Sequence, residues 1–310
     1  MKIVFMGTPD FSVGILKALY EADHEISLVV TQPDKPKGRS GKPAFSPVKE
    51  YAIAHGLEVF QPERLKSEAD IDILRKKNAD LFVVAAFGQI LSEEVLNIPE
   101  YGCMNVHASL LPKYRGASPI QQALIDGQEI TGVTIMQMDK GIDTGAILLQ
   151  KEVRINKNET AGSLFDKLEE TGSALIAEAV DKLSRHELTP KKQDEDKASL
   201  TKQIKKSMGL IDFNLSADEI ERLIRAFDPW PGTYTVLRGK TLKIWSADAM
   251  DKDEVDYMPG AVIRTSKEGI YVKCGKGTLV IKELQAEGKK RMNAKDFLLG
   301  CRPDEGEIFG

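Results

Sequence analysis

Short apolar runs alternate with helically spaced segments through the first half of the chain, and this alternation restricts the fold more than any other feature. Residues 2–6 are apolar and end in a turn at Gly7-Thr8-Pro9. Phe11, Ile15, Leu16 and Leu19 then recur at helical spacing, and residues 25–31 read as a second strand. The pattern continues with helix 48–55, strand 57–60, helix 68–77, strand 80–86 and strand 102–107, and a long amphipathic helix at 164–183 closes the series. Strands that alternate with helices build a mostly parallel sheet covered on both faces. The fold class predicted for residues 1–188 is therefore α/β and Rossmann-like.

The texture changes twice. Residues 189–206 are polar and Lys-rich, as a linker is. From 207 to 310 one helix, 217–226, is followed by Asp228-Pro229-Trp230-Pro231-Gly232. Short strand-like runs then come at 233–237, 241–247, 260–265, 269–273 and 278–284. That spacing predicts a small second domain, a β-barrel of OB-like type or a sandwich.

A chain of 310 residues with 42% hydrophobic and 29% charged residues has ample material for two cores. Its apolar runs are shorter than a membrane span, and the N-terminal one is too short for a signal peptide. A cytoplasmic protein with no membrane partner is expected. Cys103, Cys274 and Cys301 are odd in number and widely spaced, which argues against a disulfide framework and against a zinc site. The net charge of −4 is unevenly spread. Segment 31–49 holds Lys35, Lys37, Arg39, Lys42 and Lys49 against Asp34 alone, and segment 189–208 holds six Lys against three acidic residues. Two basic segments on an acidic protein leave room for a polyanionic partner. The first of them also carries Pro33, Pro36, Pro43, Pro47, Gly38 and Gly41, so it is a long loop. Long loops in compact domains are often functional.

The first βα turn, Gly7-Thr8-Pro9-Asp10-Phe11-Ser12-Val13-Gly14, places Pro9 where a dinucleotide fingerprint needs its second glycine. A nicotinamide cofactor is therefore not expected. Ligands of open parallel sheets sit beyond the carboxyl ends of the strands. Topology gathers three features there. One is Phe87-Gly88-Gln89-Ile90-Leu91. Another is the end of strand 102–107, where Asn105 and His107, two apart, share a face. The third is the pair of loops 109–116 and 139–145, the second holding Asp139 and Asp143 among glycines. An Asn-x-His pair alone is a weak signal, and an Asp between glycines is usually a turn residue. Their joint placement at one sheet edge makes Asn105, His107 and Asp143 the candidate reaction centre, with its chemistry left open.

The string MNVHASLLPKYRGASPIQQALIDG, followed by GVTIMQMDKGIDTGAIL, resembles the 10-formyltetrahydrofolate-dependent formyltransferases. Within them, MGTPDFSV, the TQPDKPKGR…SPVK loop and FDPWPGTY are most similar to the branch that formylates methionyl initiator tRNA, over essentially the whole chain. The resemblance implies transfer of a formyl group from 10-formyltetrahydrofolate to the α-amine of the methionine, for translation initiation. It implies catalytic roles for Asn105, His107 and Asp143. Asn105 would donate to the tetrahedral oxyanion. His107 would be a general base or, protonated, a second donor, and Asp143 would orient it. Ser109, Leu110, Leu111 and Pro112 fall on the family's folate-contacting loop, and Phe87, Gly88, Ile90 and Leu91 beside the pterin pocket. Lys37, Arg39 and Lys42 fall on a loop that engages the tRNA acceptor end, and the second domain would bind tRNA as well. No metal and no covalent intermediate are implied, and a monomer is expected. The rival readings are a sugar-amine formyltransferase, a formate-releasing hydrolase, and a folate- or RNA-binding protein with a dead site.

Overall fold

The structure is a computed structural model and describes residues 1–36, 43–252 and 256–310. The chain divides into two compact units. One comprises Met1–Pro119, Ile130–Arg154 and Phe165–Thr201; the other comprises Ile120–Glu129, Ile155–Leu164 and Lys202–Gly310.

The first unit is built on β1 (Lys2–Gly7), β2 (Glu25–Val30), β3 (Val59–Phe60), β4 (Leu81–Ala85), β5 (Cys103–His107), β6 (Ile130–Gln137) and β7 (Ile147–Arg154). They form one sheet in the order β3-β2-β1-β4-β5-β6-β7. The strands from β3 to β5 are mutually parallel, whereas β5–β6 and β6–β7 are antiparallel. The run Leu81-Phe82-Val83-Val84-Ala85 is buried throughout, as an inner parallel strand must be. β6 and β7 were not read as strands from the sequence. The short stretch 138–146 between them allows only an antiparallel return.

Helices α1 (Asp10–Glu21), α2 (Pro47–Ala54), α3 (Glu68–Lys76) and α4 (Glu93–Leu96) follow the strands. Ser46, Ser67 and Ser92 cap the last three by accepting from Lys49, Asp70 and Val95 N–H groups. One core holds Val4, Met6, Val30, Leu74, Phe82, Val84, Phe87 and Val95. The long helix α5 (Ala161–Ser184) lies against β5 and β6. At Gly172 a Cβ would sit 3.1 Å from Val106 and 3.5 Å from Val133. That close approach fixes β5 from behind. Order reverses between β1 and β4, so the crevice beyond their carboxyl ends is the switch point where such sheets bind ligands.

In the second unit α6 (Ala217–Ala226) is opened by Ser216 and Glu219 in a capping box. It packs on an antiparallel sheet of β8 (Thr233–Leu237), β9 (Lys240–Met250), β10 (Val262–Ser266), β11 (Gly269–Lys273) and β12 (Thr278–Ala286). Their order is β8-β9-β12-β11-β10, with β13 (Met292–Asn293) paired to β12. No pairing joins β8 directly to β10 among the described residues; the C-terminal segment 306–310 bridges them, bonding the backbone of Gly260 and Val262 on one side and of Val236 on the other. Its core is Ile220, Ile224, Ile244, Val262, Val272, Leu279, Ile281, Leu284, Phe297 and Phe309. No helix among the described residues is long and apolar enough to cross a membrane.

Candidate active site

β5 delivers Asn105 and His107 to the carboxyl edge of the sheet. Its neighbours fix its register there, with Val84 beside Asn105 on β4, and Met136 and Thr134 opposite Asn105 and His107 on β6. His107 is buried, and Asn105 is half-buried. The 138–146 turn brings Asp143 back over them.

Asp143 is the hub. Its Oδ2 accepts from the Gly116 backbone N–H at 2.8 Å, and its Oδ1 faces Asn105 Nδ2 at 3.5 Å. His107 Nδ1 stands 3.6 Å from Oδ2, in ion-pair range but too far for a hydrogen bond. The other ring nitrogen, Nε2, lies 2.9 Å from the Tyr114 carbonyl oxygen. A carbonyl only accepts, so Nε2 carries the proton and Nδ1 is left as the basic nitrogen of the neutral ring. Asp143 has φ 53° and Tyr114 φ 62°. Left-handed backbone at two non-glycine residues is costly, and such outliers gather at functional sites.

Loop 109–116 is held from both sides. The Thr134 hydroxyl donates to the Ser109 carbonyl at 2.6 Å and accepts from the Leu111 N–H at 3.1 Å. Gln150 Nε2 donates to the Leu111 carbonyl at 2.9 Å. Ser109 and Leu111 are buried, while Leu110 and Pro112 are half-buried. In 87–91, Phe87 and Leu91 belong to the core, whereas Gly88 is exposed and Ile90 is 75% exposed. Phe87 and Leu91 therefore offer a ligand only backbone. Gly88 and Ile90 line open surface beside the switch point. Thr8 Oγ1 and Gln32 Nε2 donate to the Phe87 carbonyl at 3.3 and 3.2 Å, tying that turn to the loops after β1 and β2. Lys37, Arg39 and Lys42 lie outside the described residues. Lys35 and Ala44, which flank that segment, pair antiparallel.

Sequence reasoning passed over the groups that support this centre. The Gly116 N–H and Tyr114 carbonyl are backbone atoms with no signature in the sequence. Arg115, 4% exposed, forms a fork to Glu195 at 2.8 Å for each bond. The Arg115 guanidinium holds the Glu195 carboxyl below its usual range, and Glu195 in turn raises Arg115. Residues 191–201, read from sequence as part of a linker, are bonded into this unit. Lys191 exchanges both backbone bonds with Ile147, and Leu200-Thr201 pairs in parallel with Arg115-Gly116. Most of its charged side chains are exposed, but Gln193, Glu195, Ser199 and Thr201 reach the two site loops. Among the described residues no cluster of three or more His, Cys, Asp or Glu side chains is placed to hold a metal ion.

Two family models match: formyl transferase over residues 1–180 and formyl transferase C-terminal domain over residues 203–302. A methionyl-tRNA formyltransferase of Agathobacter rectalis is 53% identical, over 100% of this chain and 99% of its own. One of Lachnospira eligens is 52% identical, over 100% of both chains. The chain belongs to the methionyl-tRNA formyltransferase family. Its fold is also that of an N-formyltransferase from Helicobacter canadensis solved with folinic acid and dTDP-3-aminofucose. That structure matches at a TM-score of 0.67 and 20% identity, over 94% of this chain and 100% of that one. Within this methionyl-tRNA formyltransferase family member, Asn105, His107 and Asp143 all fall inside the first family match, whereas residues 191–201 fall between the two.

Proposed function

We propose that this protein transfers the formyl group of 10-formyltetrahydrofolate to the α-amine of methionyl initiator tRNA. The observation that carries the chemistry is the convergence of one amide, one imidazole and one carboxylate on a single edge of the sheet. Full-length relatives at about half identity carry the choice of acceptor.

Transfer to an amine needs three things: a donor for the developing oxyanion, a place for the proton the amine loses, and groups that hold donor and acceptor in line. Asn105 supplies the first. Its amide has two N–H groups; one faces Asp143, and the second serves the oxygen of the tetrahedral species. His107 supplies the second through Nδ1, because Nε2 is committed to the Tyr114 carbonyl. Asp143 faces the imidazolium that results, and the Gly116 N–H holds the carboxylate in place. The departing folate nitrogen then receives its proton from the same pair.

The folate lies across the exposed backbone at Gly88 and Ile90 and along loop 109–112. Fixed main-chain groups beside an apolar surface suit a flat heterocycle. The tRNA is met by Lys37, Arg39 and Lys42 and by the second unit. A cytoplasmic place follows from a charged-tRNA substrate.

Purified protein is to be incubated with 10-formyltetrahydrofolate and charged initiator tRNA, with an amino-sugar nucleotide as the parallel acceptor. Formylated methionyl-tRNA as the dominant product is the expected result. Preferential formylation of the sugar, or release of formate without an acceptor, would replace this reading by one of its rivals.

A further inference from the structure

The segment between the two family matches does more than connect them. Gln193 is 4% exposed, and every polar atom of its side chain is used. Its amide nitrogen donates to the backbone carbonyls of Asp143 at 2.8 Å and Gly145 at 2.7 Å. Its carbonyl oxygen accepts from Arg115 Nε at 3.0 Å and Nη2 at 2.9 Å. Arg115 lies in the other site loop and is itself gripped by Glu195. Ser199 completes the tie: its hydroxyl accepts from the Tyr114 N–H at 2.8 Å, and its carbonyl accepts from the Arg115 N–H at 2.8 Å.

Residues 191–201 thus form a strap across both loops of the reaction centre. Tyr114 supplies the carbonyl that sets the His107 tautomer, and Asp143 supplies the carboxylate; the strap holds the backbone of each. Asp143 is left-handed, at φ 53°, and the Gln193 bond to its carbonyl is one of the contacts that hold this conformation. Only an amide side chain can do what Gln193 does here, donating twice and accepting twice at one buried point.

We propose that Gln193 is a positioning residue of the formyl-transfer centre, acting through Asp143, and that the strap fixes both site loops from one side. The proposal rests on the formyl-transfer reading above. Every polar atom of the Gln193 side chain is taken by protein groups, so its effect passes through the two loops it holds, chiefly through the placement of Asp143.

The test combines a double-mutant cycle with hydrogen exchange on the full-length protein. Gln193→Ala, Gln193→Glu, Asp143→Ala and the Gln193→Ala/Asp143→Ala double variant are compared for kcat, for KM of each substrate, and for exchange of amides 141–146. Misplacement of about an ångström costs up to roughly a hundredfold, so Q193A should lose about 10- to 100-fold in kcat while KM for folate stays within about twofold. Q193E keeps a partner for Arg115 but cannot donate, and should lose as much. In the Asp143→Ala background, removing Gln193 should cost nothing more. Amides 141–146 should exchange faster in Q193A and Q193E than in the parent protein, whether or not the parent formylates Met-tRNA. Arg115→Lys, which keeps the charge but not the fork, serves the same comparisons if Q193A does not fold. Unchanged exchange at 141–146 would overturn the strap. Undiminished kcat in Q193A or Q193E, or an equal loss with and without Asp143, would overturn the positioning role. An inactive parent with faster exchange in the variants would sink the functional reading and leave the strap standing.

Discussion

At the scale of single residues, the proposed chemistry turns on the tautomer of His107. The Tyr114 carbonyl takes the Nε2 proton, so whatever His107 does for the substrate passes through Nδ1. Asparagine places its amide near the Nδ1 position, and glutamine near Nε2. If Nδ1 must take a proton, His107→Asn and His107→Gln both lose at least about 10²-fold in kcat, the low end of general-base catalysis. If Nδ1 acts only as a donor, His107→Asn keeps much of the rate and His107→Gln does not. Single-turnover formylation separates the two cases. Burial pushes the Cys103 thiol up to about 12, and Cys274 is also buried. The Cys103 thiolate does not form near neutral pH, and the one half-buried thiol of the three, Cys301, lies in the second unit. Alkylation at pH 8 should therefore leave turnover intact, and rapid loss of activity would bring a thiol into the mechanism. Asn105 and His107 were legible in the sequence because strand periodicity puts residues two apart on one face. The depth of burial of His107 and its carbonyl partner were not, since both depend on a loop seven residues downstream.

Elements carry the second layer. The turn after β6 is so tight that a Cβ on Gly145 would sit 1.7 Å from the Gln137 carbonyl oxygen. Gly145→Ala should displace the Asp143 loop and lower kcat, with a stability loss of roughly 1–3 kcal/mol in thermal unfolding, as overpacking brings. An unchanged kcat would mean that the loop tolerates a different path. Glu195 gives a pH-dependent check on the strap. Its folded value is depressed, first by the Arg115 hydrogen bond, below an ordinary 4.5. A depressed carboxylate adds stability that is fully present above its unfolded value and is lost as pH falls through its folded one. The melting difference between the parent protein and Glu195→Gln should therefore be seen at neutral pH and fade as the pH falls below the ordinary 4.5. A difference that grew on acidification would contradict the pairing. The α/β alternation was legible because inner parallel strands are uninterrupted apolar runs. β7 was not legible, because as an edge strand it reads half polar, Ile147-Leu148-Leu149-Gln150-Lys151-Glu152-Val153-Arg154, and its burial is correspondingly broken. The strap was not legible for a related reason: Gln193, Glu195 and Ser199 bond to groups far away in sequence, and composition records polarity without recording the partner.

Over the whole molecule, the layout of charge supports the proposed tRNA partner. The protein is net −4, yet segments 31–49 and 189–208 each carry a net positive charge. Replacing Lys37, Arg39 and Lys42 together with Ala should raise KM for tRNA far more than KM for folate. It should also flatten the salt dependence, the log–log slope falling by about 0.7–0.9 for each phosphate that is no longer neutralised. An unaltered tRNA KM would remove that loop from the interface. The two-unit organisation was legible from the change in texture after residue 206. The chain path was not, because residues 120–129 and 155–164 cluster with the second unit although they come early in the sequence. Periodicity shows which segments are helices, but not which core takes them.

The proposed centre for formyl transfer to charged initiator tRNA is Asn105, His107 and Asp143. It is tested most directly by single-turnover formylation of methionyl-tRNA, comparing the parent protein with Asn105→Ala at saturating 10-formyltetrahydrofolate. Loss of an oxyanion donor predicts a rate roughly 10²–10³ lower with folate binding retained. An Asn105→Ala protein that formylates methionyl-tRNA at the parent rate would contradict the account.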